Sequence, residues 1–385
     1  MRFLIAPDKY KGGLSAEGVA RAIARGLRDA FPRASLRLMP LADGGDGTAR
    51  ILSRAFKARN RSTRVQGPRF RPVNAAWGLL GTRAFMDMAS ASGLALLKPE
   101  ERDPMQATSR GIGQLILAAT KAGAREITLG VGGSATVDGG LGALRALGIR
   151  FLDARRRDVP EGGAGLLRIA TVDTSACCLR GTRLALILLS DVTNPLLGPK
   201  GAAPVFGPQK GASPEKVKAL TRGLERLGAA ILRATGCPVA RMPHGGAAGG
   251  IVAGFSGLLG TIPGIEVRAV SGIEHLLREL DADAAVRKAD WIFTGEGRLD
   301  DQTERGKTLA GLAALCRRHR KPVIAIAGSL DISLASMDRM GLQAVFAIPR
   351  RSCTLAESIA HESAWIRATA ANAARLIRAA SHGHD

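Results

Sequence analysis

Aromatic side chains are scarce in this chain: one Tyr, three Trp and ten Phe, or 4% of the residues. So little ring surface argues against stacking platforms for single-stranded nucleic acid. It leaves the cores to be built from Ala, Leu, Ile and Val. The five cysteines (Cys177, Cys178, Cys237, Cys316 and Cys353) are odd in number and lack metal-type spacing, so they read as reduced thiols. Of the six histidines, His361, His382 and His384 lie in or near the tail. No Ser/Cys–His arrangement or His-rich metal site is apparent, which argues against nucleophilic hydrolysis and against zinc. No apolar run reaches the roughly 18 residues that a membrane helix needs. The opening Met1-Arg-Phe-Leu-Ile-Ala-Pro7 is too short an apolar run for a signal peptide. The expectation is a soluble cytoplasmic protein with no membrane partner. Acidic residues are also short, 33 against 55 Lys and Arg, for a formal net charge of +22.

What is present points to a chain of two domains, at most three, with real cores: 385 residues, 46% hydrophobic, 48 of them glycine. The positive charge is spread over Arg21, Arg25 and Arg28, residues 54–64, Arg155–Arg157, residues 317–321, and Arg350 and Arg351. These clusters are too short for arms or tails, and no nucleic-acid module is visible. A solvated basic surface is the simpler reading, with steering of anionic substrates as a side effect.

Pattern and punctuation predict strand–helix alternation at both ends of the chain. Arg2–Ala6 reads as a strand and Ser15 as the N-cap of a helix in which Val19, Ile23 and Leu27 recur to Ala30. Leu36–Leu41 reads as a second strand. Strands are expected again at 291–294, 323–327 and 344–348, and helices at 309–318 and 355–377. Repeated units of this kind imply a parallel sheet with right-handed crossovers. In the middle, 73–80 and 83–88 alternate as antiparallel strands about Gly81. A helix is predicted at 108–122, strands at 127–131 and 184–189, and a helix at 141–147. A long helix starts at Ser213-Pro214, with Pro at its first position. The expectation is an α/β protein of two domains. A Rossmann/flavodoxin-like doubly wound domain comes from both chain ends (1–64 and 266–385). A mixed α/β domain (65–265) is inserted into it, with the active site in the cleft.

The most specific motif is Gly130–Gly142, G-V-G-G-S-A-T-V-D-G-G-L-G, between the strand at 127 and the helix at 141. Strand, glycine loop and helix make backbone N–H groups converge on an anion. Gly132, Gly133, Gly139 and Gly140 permit positive φ and close approach. Ser134 and Thr136 suit phosphate, and Asp138 suits Mg²⁺ or a substrate hydroxyl. The loop is neither G-x-x-x-x-G-K-[ST] nor a strict G-x-G-x-x-G. The competing reading is a tight turn that needs glycine. Similar acid-and-glycine loops follow other expected strands: Asp8, Lys9 and Lys11; Asp43 and Asp46; Asp191, Thr193 and Asn194; Glu296, Arg298 and Asp300. Open α/β sheets bind ligands at the carboxyl ends of strands. This inventory of carboxylates, amides and cations suits phosphoryl transfer with Mg²⁺.

Taken together, these segments resemble the bacterial glycerate kinase family that forms 2-phosphoglycerate. The resemblance rests on D-K-Y-K-G-G-L-S (8–15), L-A-D-G-G-D-G-T (41–48), the loop at 130–140, Asp191–Ser213, Gly246–Gly250 and G-E-G-R-L-D-D-Q-T (295–303), and covers nearly the whole length. It implies two α/β domains, an active site between them, and MgATP as donor to D-glycerate. Three positions depart from the family pattern: Lys9, Val137 where Asn is usual, and Leu309 where Pro is usual. Val137 removes an amide expected to contact substrate or phosphate.

With that resemblance, Asp191 is a candidate base or Mg²⁺ ligand, with capping of the turn at Asn194-Pro195 as its rival role. Lys11 and Arg298 are candidates to neutralise phosphate or clamp the glycerate carboxylate; the rival is an ion pair with a neighbouring acid. Asp8, Asp43, Asn194, Glu296 and Asp300 are assigned to substrate. Gly132, Gly133, Ser134, Thr136, Gly139, Gly140 and Lys210 are assigned to ATP phosphates. Asp138 is assigned with Asp191 to metal, although a helix cap competes. His244 reads as a loop hydrogen-bond partner. A kinase for a related hydroxy acid, or a weakened relative that binds polyanions or nucleic acid, are the alternatives. No specific nucleic-acid partner is expected, and a homodimer stays open.

Overall fold

The computed structural model describes residues 1–300 and 308–382. Its strands, in chain order, are β1 (Arg2–Ile5), β2 (Ser35–Leu38), β3 (Arg59–Gln66), β4 (Pro72–Leu80), β5 (Arg83–Asp87), β6 (Glu126–Gly130), β7 (Arg150–Leu152), β8 (Thr171–Asp173), β9 (Leu184–Leu189), β10 (Ile265–Val270), β11 (Trp291–Asp300), β12 (Val323–Asp331) and β13 (Ala344–Ala347). They fall into two compact units, Met1–Asp43 with Ile273–Asp385, and Gly44–Gly272. The chain leaves the first unit after Asp43 and returns at Ile273. The sequence placed these changes at 64/65 and 265/266. Residues 44–64 go instead with the second unit because β3 pairs with β4 in its sheet.

The first unit holds one parallel sheet in the order β13-β12-β11-β1-β2. Phe3, Ile5, Phe293, Ile324 and Ile326 face one side. There they meet Val19, Ile23 and Leu27 of the helix Ala16–Ala30, and Ile366, Ala370 and Ile377 of the helix Leu355–His382. The four-residue spacing of Val19, Ile23 and Leu27 puts them on one helix face. Gly26 lets these two helices touch, since a Cβ there would run into the Arg367 carbonyl. Leu4 and Ile292, next to Phe3 and Phe293 in sequence, are fully buried as well. The helices Ala282–Lys288 and Thr308–Arg318 contact β1 and β11. Ser15 caps the first helix as expected, its side chain accepting from Gly18 N at 3.3 Å.

The second unit holds the sheet β10-β9-β6-β5-β4-β3. β5, β6, β9 and β10 run parallel, whereas β4 and β3 are antiparallel to their neighbours. Ile112, Leu115 and Ile116 of the helix Arg110–Lys121 belong to its apolar core. So do Leu224 and Leu227 of the helix Pro214–Thr235, and Ile251 and Phe255 of Ala247–Leu258. Each such side chain contributes about 1.5–3 kcal/mol by leaving water. β7 and β8 form a small antiparallel pair of their own.

Two expectations change. Gly295–Asp300 is not a loop: β11 and β12 stay paired from Ile292↔Val323 to Asp300↔Asp331, so the motif lies in strand. β3, which is polar and arginine-rich, was not anticipated as a strand. Asp301, Gln302 and Thr303 of the same motif, with Gly306 and Lys307, lie outside the described residues.

Candidate active site

In the second unit the parallel strands end in register. Asp87 is opposite Gly130, Gly130 opposite Leu189, and Leu189 opposite Val270. Asp87, the loop after Gly130, Asp191 and Ser271 therefore emerge along one edge of the sheet. Ser271 Oγ donates to Asp191 Oδ1 at 2.8 Å, which orients a half-buried carboxylate. The Asp87 carboxylate accepts from Gly47 N (2.9 Å) and Ala49 N (3.0 Å), capping the helix Thr48–Ala55 across the chain. That fixes the loop 44–48 against the glycine loop, where a Cβ on Gly132 would sit 2.6 Å from Gly45 Cα.

The glycine loop is mostly interior, and only Gly132 and Gly133 are open to solvent. Asp138 is fully buried and accepts from Ser109 N (2.9 Å), Ser109 Oγ (2.7 Å), Gly140 N (3.1 Å) and Gly142 N (3.2 Å). Burial pushes its carboxyl up, and these donors pull it back. Asp138 thus caps the helix Leu141–Ala146, where a phosphate would otherwise dock. Gly139 and Gly140 have φ of 61° and 79°. A Cβ on Gly139 would strike Leu227, and one on Gly140 would lie 3.0 Å from Ile251. Gly139 N donates to Gly249 O at 2.9 Å. Gly249 and Gly250, with φ of 72° and 97°, bring the 244–250 loop onto this one backbone to backbone.

Lys210 is 3% exposed. Its ammonium donates to Ser134 Oγ and to Thr136 O, both at 2.7 Å, and forms no ion pair among the described residues. Burial pushes it down to about 7, against the opposing pull of Asp138. Thr136 Oγ1 is buried with no partner among the described residues. His244 Nδ1 lies 2.9 Å from Val192 O, a bond that ties the 244–250 loop to the loop after β9.

In the first unit Asp8 follows β1 and is 9% exposed. It accepts from Lys9 N (2.6 Å) and Thr308 Oγ1 (2.7 Å). Burial, and next the Asp43 carboxylate, push it up to about 6. Tyr10 O–H donates to Ile326 O at 2.7 Å, and the tyrosine is pushed up by burial and by the Glu362 and Glu296 carboxylates. Glu362 accepts from Leu14 N at 2.5 Å, holding the turn that presents the exposed Lys11. Arg298 spans Asp300 (3.4 Å) and Asp331 (2.8 Å) on the paired strands.

The family model for the glycerate kinase family matches residues 3–378. The chain belongs to the glycerate kinase family. It is 41% identical to a glycerate 2-kinase of Escherichia coli strain K12 over 93% of each chain. It is 38% identical to a glycerate kinase of Bacillus subtilis strain 168 over 99% of this chain and 98% of that one. A solved chain from Salmonella typhimurium LT2, provisionally named glycerate kinase 2, is 42% identical, with a TM-score of 0.83 over 99% of both. The shared architecture is a mixed α/β fold with parallel and mixed sheets.

For this glycerate kinase family member the geometry sorts the residues expected at the site. Gly132, Gly133, Ser134 and Lys210 lie together at the solvent rim of the glycine loop or directly beneath it, and Asp191 follows the neighbouring strand by two residues. Asp8 and Asp43 are neighbours in the other unit, and Glu296 lies near Tyr10. Several expectations change. Thr136, Gly139 and Gly140 are buried, and the two glycines pack against Leu227 and Ile251. Asp138 takes the rival capping role in this structure, its oxygens accepting from four donors. Asn194 Nδ2 donates to Lys200 O at 2.8 Å, so that amide closes its own loop. Arg298 has the ion-pair role, with Asp300 as one partner. Val137 is fully buried in the apolar core, so its departure from the family pattern removes no exposed amide. Asp87, Ser109, Thr308 and Glu362 went unrecognised in the sequence. The one available signal was a lone acid ending an apolar strand at Asp87.

Proposed function

We propose that this chain transfers the γ-phosphoryl group of MgATP to the C2 hydroxyl of D-glycerate, giving 2-phospho-D-glycerate. The observation that carries the reading is Lys210, a buried ammonium bonded to two neutral oxygens under an exposed glycine rim. A buried cation without a counter-charge is costly unless an anion arrives to pair with it. The Gly132 and Gly133 rim, Ser134 and Lys210 are assigned to the phosphates. Lys210 Nζ keeps two donors when neutral, enough for its present bonds. The third proton of the charged form is then available to a phosphate oxygen.

Asp191 is assigned as Mg²⁺ ligand or base, held in place by Ser271. Mg²⁺ is usually bound through one or two carboxylates together with phosphate oxygens and water. A protein cage is therefore not required, and no group of three metal-binding side chains occurs among the described residues. Asp8, Asp43, Lys11 and Glu296 are assigned to glycerate, with Asp8 the alternative base because its carboxyl titrates at about 6. The first unit's strand order, 2-1-3-4-5 counted along its own strands, supports reading it as a flavodoxin-like doubly wound domain.

ATP consumption with D-glycerate, L-glycerate and related hydroxy acids, with the phosphorylated carbon located by NMR, tests the substrate and its regiochemistry. Asp191→Asn is expected to fold normally and to lower turnover by about 10²–10⁴-fold. A folded variant with near-full glycerate-dependent ATP use removes Asp191 from the mechanism.

A further inference from the structure

We propose that an arginine-lined groove on the first unit is a second anion site, for a small, multiply charged phosphate compound. The groove has a volume of about 390 Å³ and lies between the helices Ala16–Ala30 and Leu355–His382 and the edge strand β2. Arg21, Arg25, Arg28 and Arg367 supply four guanidinium groups, and Asp29 the only carboxylate. Asp29 is already spent: its two oxygens accept from Arg367 Nε (2.8 Å) and NH2 (2.9 Å). Arg28 reaches the Pro32 carbonyl at 2.7 Å. Arg21 and Arg25 are exposed and have no hydrogen bond or ion pair among the described residues.

Arginines at 21, 25 and 28 share one helix face, where like charges four residues apart repel. An unpaired cluster of forked donors around a concave surface matches phosphate oxygens, which guanidinium groups bind bidentately. Leu36 and Ala24 complete the lining of the groove. None of the groove's lining residues belongs to the loops proposed for the catalytic site. The helix starts beside the 8–13 loop, at the carboxyl end of β1, and runs back toward the amino ends of the strands. Arg21, Arg25 and Arg28 lie about 7.5, 13.5 and 18 Å along its axis from Ala16.

Inorganic tripolyphosphate is the probe, titrated calorimetrically into the full chain near physiological salt with glycerate and a non-hydrolysable MgATP analogue present to fill the substrate site. One saturable equivalent per chain is expected. Arg21→Ala/Arg25→Ala should weaken it about tenfold or more, with glycerate kcat unchanged and a melting temperature no lower than the parent's. Arg21→Lys/Arg25→Lys should fall between the two, because charge stays and the fork goes. An unchanged isotherm in the alanine variant overturns the proposal. So does the absence of saturable binding at that salt, which would leave a solvated basic face. Tighter, Arg21/Arg25-dependent binding of duplex DNA than of tripolyphosphate overturns it in favour of a polyanion surface.

Discussion

Burial of Asp8 beside Asp43 makes its negative charge costly, and that cost has a definite pH signature. Its carboxyl titrates at about 6 when folded, above the 3.8 of an ordinary Asp, so the folded chain holds this proton more tightly. The associated stability is complete below about pH 4 and is lost as pH rises through about 6, a change of about 3 kcal/mol. Asp8→Asn is expected to melt higher than the parent at pH 8, with the gap closing near pH 4. Its kcat/KM should fall and lose the limb that rises near pH 6. Parallel melting of the two proteins from pH 4 to 8 would mean that the carboxyl is not desolvated. Lys210 has the opposite sign: burial lowers it to about 7, so its contribution is complete above its ordinary value and is lost as pH falls through about 7. Phosphate binding near Lys210 should therefore draw a proton from solution. Calorimetry in buffers of different ionisation enthalpy would register it.

At the scale of the element, the glycine loop separates packing from ligand contact. Gly139→Ala forces a Cβ onto Leu227 at a positive φ, at a cost of about 1–3 kcal/mol. Activity per folded molecule should hold, whereas a phosphate-contacting glycine would lose activity without losing stability. Asp138→Ala leaves the buried donors of Ser109, Gly140 and Gly142 unpaired, for a loss of about 3 kcal/mol or more, read from denaturant unfolding. The helix from Pro214 and the strand 184–189 were legible because caps and apolar runs are local signals. β3 was not, since Arg59, Asn60, Arg61 and Arg64 make it look like loop; only pairing with β4 reveals a charged edge strand. The extension of β11 through Arg298 was hidden for the same reason, being set by its partner β12. The sequence also named the glycines of the 130–142 loop without distinguishing the two that face water from the two that face Leu227 and Ile251.

Across the whole molecule, a net charge of +22 surrounds chemistry performed on anions. Steering of glycerate and nucleotide should make kcat/KM fall as salt is raised above about 0.15 M, with kcat little changed. If kcat/KM is flat with salt, the charge serves something other than substrate capture. The family match runs almost end to end, yet the acids proposed for the site lie on both compact units, and a linear motif search could not tell which of them are caps. The loop at 130–142 is tied at Ala135 to Ser92, at Gly139 to Gly249, and at Gly140 and Gly142 to Asp138. Such a segment has little ordering entropy left to lose, so it receives its ligand preorganised, and any closing motion must come from other parts of the chain.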